Sequence, residues 1–279
     1  MMLLTGMSLA VGRPESGTVG RLDSASAPAP VVLSATGLVK RFGQTEALRG
    51  IDFSLARGEI VAVMGPSGSG KSTLLHCLAG ILAPDAGTVV FEGRRIEGLS
   101  ESERTRLRRT TFGFVFQFGQ LVPELSALEN VALPLLLNNV RRSIAEAQAA
   151  AWFPRLGLEG MERRRPGEMS GGQAQRVAVA RALVTEPSVV FADEPTGSLD
   201  TIAGEQVMEL LTTAAAEQNT SVLLVTHEAR VAAYAGREIV VRDGRVSGAD
   251  RAGGTPVGGS APVVGARVRG AASARGAAQ

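Results

Sequence analysis

The run Gly65-Pro66-Ser67-Gly68-Ser69-Gly70-Lys71-Ser72 places three glycines, a lysine and a hydroxyl within eight residues. Glycine permits backbone conformations that aim successive N–H groups at one anion. Thr73 then opens a helical pattern reaching Ile81, whose positive N-terminal end faces the same anion. Lys71 supplies a mobile full charge for the β- and γ-phosphates of a nucleotide. Ser72 offers a hydroxyl to Mg²⁺. The spacing is that of the phosphate-cradling loop G-x-x-x-x-G-K-[ST], so Mg-ATP is the expected ligand and its hydrolysis the expected reaction. Composition supports the lysine's role. Of 29 basic side chains only Lys40 and Lys71 are lysines. A compact ammonium fits a tight loop where a planar guanidinium does not.

Two carboxylates follow an apolar run at Val189-Val190-Phe191-Ala192-Asp193-Glu194. At the carboxyl end of a parallel strand such groups face the ligand crevice. Asp193 is the candidate Mg²⁺ ligand. Glu194 is the candidate base that relieves an attacking water of a proton. His227 stands just past another apolar run, where an imidazole donates to the γ-phosphate or holds the water. His76 and Cys77, beyond the loop, are expected to be packing residues.

Positioning these groups calls for an α/β sheet. Residues 59–64 (EIVAVM), 188–192 (SVVFA) and 221–225 (SVLLV) read as buried parallel strands. Residues 239–241, the turn Asp243-Gly244, and Arg245-Val246 read as a closing hairpin. Residues 118–169 have a helical pattern and no convincing buried strand, and read as an inserted helical subdomain. Residues 1–30 and the Ala/Gly/Arg-rich stretch 248–279 read as disordered extensions, leaving a domain over 31–247.

Bulk composition narrows the partners. The chain has 279 residues, 44% hydrophobic but only 4% aromatic, so the core is expected to rest on Val, Leu, Ala and Ile. The net charge is +2, and residues 248–279 carry +3, which leaves −1 on the rest. The basic clusters at 106–109 and 163–165 do not amount to a nucleic-acid footprint, and no nucleic acid is expected. One cysteine allows no internal disulfide, which points to a reducing compartment. No apolar run reaches the roughly 18 residues of a membrane helix. The start MMLLTGMSLAVG lacks a signal peptide's basic flank.

Met169-Ser170-Gly171-Gly172-Gln173, followed by Gln175-Arg176 and an Ala-Arg-Ala-Leu helix, resembles the signature motif of ABC ATPases. The other motifs of that family match in order. Phe42 matches the adenine-stacking aromatic, Gln117 the glutamine that senses Mg²⁺ and the γ-phosphate, and Ser198-Leu199-Asp200 the loop that crosses the dimer interface. The resemblance spans residues 31–246. It implies a P-loop fold with a mainly parallel core sheet, an N-terminal antiparallel β subdomain and an α-helical insertion. It also implies a head-to-tail dimer, in which Ser170, Gly171, Gly172, Gln173 and Asp200 meet the nucleotide held by a second copy.

Residues 123–131 (PELSALENV) and 195–200 (PTGSLD) look more narrowly like the group serving lipoprotein release, macrolide export and cell division, although that group usually has Asn where Ser198 stands. The implied partner is a separate transmembrane permease, which would hold this chain peripherally at the cytoplasmic side of the membrane. Its cytoplasmic helix is expected near Gln117–Glu124, at Phe118, Leu121 and Val122. Two outputs fit the motifs: powering transport, or signalling ATP state to a membrane or cell-wall partner.

Overall fold

The computed structural model describes residues 29–247 and the backbone of Arg251–Ala252. The strands are β1 (Val31–Phe42), β2 (Thr45–Ala56), β3 (Ile60–Met64), β4 (Ala86–Phe91), β5 (Arg94–Arg95), β6 (Phe112–Phe116), β7 (Val189–Asp193), β8 (Ser221–Val225), β9 (Arg237–Arg242), β10 (Arg245–Val246) and β11 (Arg251–Ala252). The helices are α1 (Lys71–Leu78), α2 (Glu101–Thr110), α3 (Ala127–Leu137), α4 (Arg142–Ala150), α5 (Phe153–Leu156), α6 (Gly171–Leu183), α7 (Thr201–Glu217) and α8 (Ala229–Ala232).

Two sheets result. The first is antiparallel, in the order β2-β1-β4-β5. The second runs β10-β9-β3-β8-β7-β6, and β9, β3, β8, β7 and β6 are mutually parallel. Every residue of β8 is buried, as are the first four of β7. Strands covered on both faces need apolar side chains at every position rather than at alternate ones. That is why these runs were legible. Asp243 and Gly244 both take positive φ, 48° and 72°, and turn β9 into β10. This is the twist a two-residue hairpin requires. β11 pairs with β9 inside the stretch read as a disordered tail; the rest of that stretch and residues 1–28 lie outside the described residues.

One element departs from the expectation. Phe112-Gly113-Phe114-Val115-Phe116 shows no apolar/polar alternation and no turn signal at both ends, yet it forms β6, the edge strand that leads into Gln117. The core rests on Val, Leu, Ala and Ile as expected, with Phe rings gathered at one seam. Rings of Phe91, Phe112, Phe191, Phe114 and Phe116 form one chain, with neighbouring centroids 4.9 to 5.9 Å apart. Phe91 comes from the antiparallel sheet, so this chain of rings joins the two sheets through edge and offset contacts.

Helices α3, α4 and α5 fall inside the stretch read as helical. Each of α2, α3 and α6 begins with a Ser whose hydroxyl accepts the third amide, answered by a Glu or Gln side chain. This reciprocal cap satisfies two orphan donors at once. Asn130 is fully buried and holds the turn before α3, through the Val122 amide and the carbonyls of Val122 and Leu125. In the basic cluster on α2, Arg108 pairs with Glu101 at 2.7 Å.

Cys77 is 1% exposed, and burial raises its thiol pKa to about 11. Only about one molecule in a thousand then carries the nucleophilic thiolate at pH 8. Iodoacetamide at pH 8 should leave the native chain unmodified and alkylate one thiol after guanidinium unfolding, read by intact mass. Rapid native labelling would contradict the packing of α1.

Candidate nucleotide site

The loop between β3 and α1 is shaped by crowding. Gly65 has φ 147°, and a Cβ there would stand 2.1 Å from the Val241 carbonyl oxygen. Gly70 has φ 107°, and its Cβ would stand 2.5 Å from the Ala47 carbonyl oxygen. Only glycine satisfies both the angle and the space. Gly70 is also the N-cap of α1, which has no side-chain cap and no acid in its first turn. The first amides of α1 are therefore left to an external anion. Lys71 is 8% exposed and folds its ammonium onto the carbonyls of Gly65 and Pro66, each at 2.9 Å.

A cleft of about 620 Å³ opens above this loop. Phe42, Pro66, Ser67, Gly68, Gly70, Lys71, Ser72, Thr73, Gln117, Glu194 and His227 all line it, together with Ala47. Seven elements or their connecting loops thus converge as the sequence reading required. Phe42 is half exposed and forms an open apolar face. Ser69 of the loop does not line the cleft: it is buried, and its hydroxyl has no partner.

At the end of β7, the Ser72 hydroxyl donates to Asp193 Oδ1 at 3.2 Å. Burial raises the Asp193 pKa, and the Ser72 hydrogen bond offsets part of that rise. A desolvated carboxylate beside a hydroxyl is a pair of hard oxygen donors short of positive charge, which suits Mg²⁺. Glu194 follows with φ 49°. This left-handed conformation is costly for a residue with a side chain and is concentrated at functional sites. Its Oε1 lies 2.8 Å from His227 Nδ1, and its Oε2 is buried with no partner.

The signature residues lie elsewhere. Ser170 caps α6, and none of Ser170, Gly171, Gly172 and Gln173 lines the cleft. Asp200 caps α7 by accepting from the Ala203 amide at 2.9 Å. These two helix starts touch: a Cβ on Gly172 would meet Ala203 Cβ at 2.9 Å. The two motifs expected to meet a second copy's nucleotide are therefore neighbours, away from the chain's own cleft.

Three further residues hold the site through main-chain carbonyls, a task the sequence motifs containing them did not reveal. Gln175, 2% exposed, donates to the Phe116 carbonyl at 2.8 Å and the Pro195 carbonyl at 2.7 Å. These carbonyls flank Gln117 and Glu194. Ser198 donates to the Gln117 carbonyl at 2.7 Å. Arg181 donates to the carbonyls of Gly119 and Gln120. A polar Gln on the buried face of an otherwise apolar helix was the available signal for Gln175.

A phosphate-binding loop on a parallel sheet, with acids at the end of the next strand but one and a helical insertion, defines a P-loop nucleotide hydrolase. Residues 48–197 match the ABC transporter family, and the chain belongs to it. It is thus the ATP-binding, ATP-hydrolysing component of such a transporter. Among similar proteins is the lipoprotein-releasing system ATP-binding protein LolD of Hydrogenovibrio crunogenus, 46% identical over 218 residues, covering 77% of this chain and 95% of that protein. LolD of Bordetella pertussis is 48% identical over 201 residues, covering 72% and 87%. Two dimeric structures of the cassette MJ0796, one a post-hydrolysis state with ADP and Pi, superpose with TM-score 0.72 at 37% identity, covering 77% of this chain and 97% of theirs.

Gln175→Leu keeps the volume of the side chain but strands the Pro195 carbonyl in the interior and leaves the Phe116 carbonyl with the Gly119 amide alone. It should cost about 1–3 kcal/mol in urea unfolding and lower kcat for ATP. Unchanged stability and turnover would mean that the clip does not hold the site.

Proposed function

We propose that this chain powers a lipoprotein-releasing type of ABC complex, working as a dimer on a separate membrane permease. The observation that carries the catalytic reading is Glu194, held in a left-handed conformation at a strand end and paired with His227. Its identity to LolD relatives supports the cargo class. No helix among the described residues is long and apolar enough to cross a membrane, which fits a peripheral subunit carried by its permease.

Each residue then has a task. Phe42 stacks on adenine. The loop of residues 65–73 cradles the phosphates through its backbone amides, and Lys71 leaves its two carbonyls for the β- and γ-phosphates. Ser72 and Asp193, with Gln117, would hold Mg²⁺, which neutralises phosphate charge. Glu194 takes the proton of the attacking water, and His227 keeps that carboxylate aimed. Ser170, Gly171, Gly172, Gln173 and Asp200 complete the site of the second copy. ATP therefore closes the dimer and hydrolysis releases it.

The permease helix has a groove to enter beside the expected segment Gln117–Glu124. Phe118 is 73% exposed there, Leu121 packs partly on the core, and the Val122 main chain is held by Asn130. An apolar groove of about 570 Å³ lies between β6 and α3.

Glu194→Gln should retain ATP binding, lose turnover by about 10²–10⁴-fold, and elute as a dimer with ATP on size exclusion. Wild-type hydrolysis in that variant removes Glu194 from the base role. Lys71→Ala should weaken ATP binding strongly in fluorescence titration, and undiminished affinity would contradict the phosphate-loop reading.

A further inference from the structure

The groove between β6 and α3 is apolar in surface but positive in charge. Phe114 and Phe116 stack in it with centroids 5.9 Å apart, and α3 contributes Leu133, Pro134 and the half-exposed Leu137. Arg181 reaches into this groove from α6. Its guanidinium donates at 2.7 Å to the Gly119 carbonyl and at 2.8 Å to the Gln120 carbonyl. Among the described residues no carboxylate meets it, and burial holds its pKa below the ordinary value. Arg109 stands exposed in the same lining, also without an ion pair there. Arg108, the third arginine, is paired with Glu101, a carboxylate that Arg104 shares. No Asp or Glu lines the groove.

These facts restrict the occupant. A guanidinium has five N–H donors, and Arg181 spends two on carbonyls. A helix that seals the groove removes the remaining donors from water. Covering an unpaired buried cation with apolar side chains alone is costly, whereas a carboxylate takes up a planar guanidinium with matched geometry. A basic helix would be repelled.

We propose that the groove accepts a cytoplasmic helix of the permease that presents an Asp or Glu to Arg181 from an otherwise apolar face. The proposal rests on the permease reading above and adds the chemistry of the partner. It also gives that contact a route to the nucleotide. The guanidinium that meets the partner's carboxylate is the one that holds Gly119 and Gln120, two and three residues past Gln117. One side chain then ties the occupied groove to the loop reaching into the ATP cleft.

The test is photocrosslinking in the host membrane, with p-benzoylphenylalanine in place of Leu137 and sequencing of the captured peptide by mass spectrometry. The expected adduct is a cytoplasmic helix of a membrane protein with Asp or Glu within about one turn of the crosslink. Neutralising that carboxylate leaves this chain intact, and should weaken its association with the complex by about thirtyfold or more. Arg181→Met should have a similar effect, and the two changes together should cost no more than either alone. A captured permease helix without a carboxylate, an unchanged association, or independent additive effects would each overturn the acidic-helix proposal while sparing the permease reading. Capture of a second copy of this chain, or of no membrane protein, would overturn both.

Discussion

Everything in the nucleotide cleft depends on a helix start that the chain leaves uncapped. Helices α6, α3, α2 and α7 satisfy first-turn amides internally, through Ser170, Ser126, Ser100 and Asp200. Neither α1 nor α4 has a side-chain cap, and α1 opens with a glycine and an ammonium at the cleft. Those amides, and a lysine holding only its own loop's carbonyls, form a site whose missing partner is an anion. The loop keeps this geometry because Gly65 and Gly70 press against the carbonyls of Val241 and Ala47. These neighbours belong to the hairpin strand β9 and to β2. Both sheets are thus required to shape eight residues.

The second constraint is the placement of α6. Its first turn carries the signature motif outward, while its buried face carries Gln175 and Arg181 toward the cleft's supporting loops. Gln175 bridges the end of β6 to the residue after Glu194, and Arg181 holds the segment just past Gln117. Ser198 adds a third clasp from the loop next to Asp200. The helix that starts at the signature motif and the loops beside Gln117 and Glu194 therefore share one set of hydrogen bonds. The groove between β6 and α3 abuts the same clasp through Arg181.

The motifs were readable because their chemistry restricts residue type. A lysine in an arginine-rich chain, two carboxylates ending an apolar run, and a Ser-Gly-Gly-Gln helix start have few other uses. The parallel strands β3, β7 and β8 were readable because burial on both faces leaves unbroken apolar runs. β6 was not legible because Gly113 and Val115 between its Phe residues leave no apolar/polar alternation and no turn signal bounds both ends. Its identity as a strand comes from pairing with β7, a contact between residues far apart in sequence. Gln175 and Arg181 were visible as letters of a motif, but their partners are main-chain carbonyls, which have no signature in side-chain identity.

Residue types and spacing by themselves determined that this chain binds ATP and to which family it belongs. The tertiary structure decided the rest. It put the chain's own signature motif outside its own cleft, turned Glu194 into a left-handed conformation against His227, and set unpaired guanidinium groups in an apolar groove. Each of these depends on which distant backbone lies beside a given side chain. That is a property of the packed sheets, not of any local run of residues.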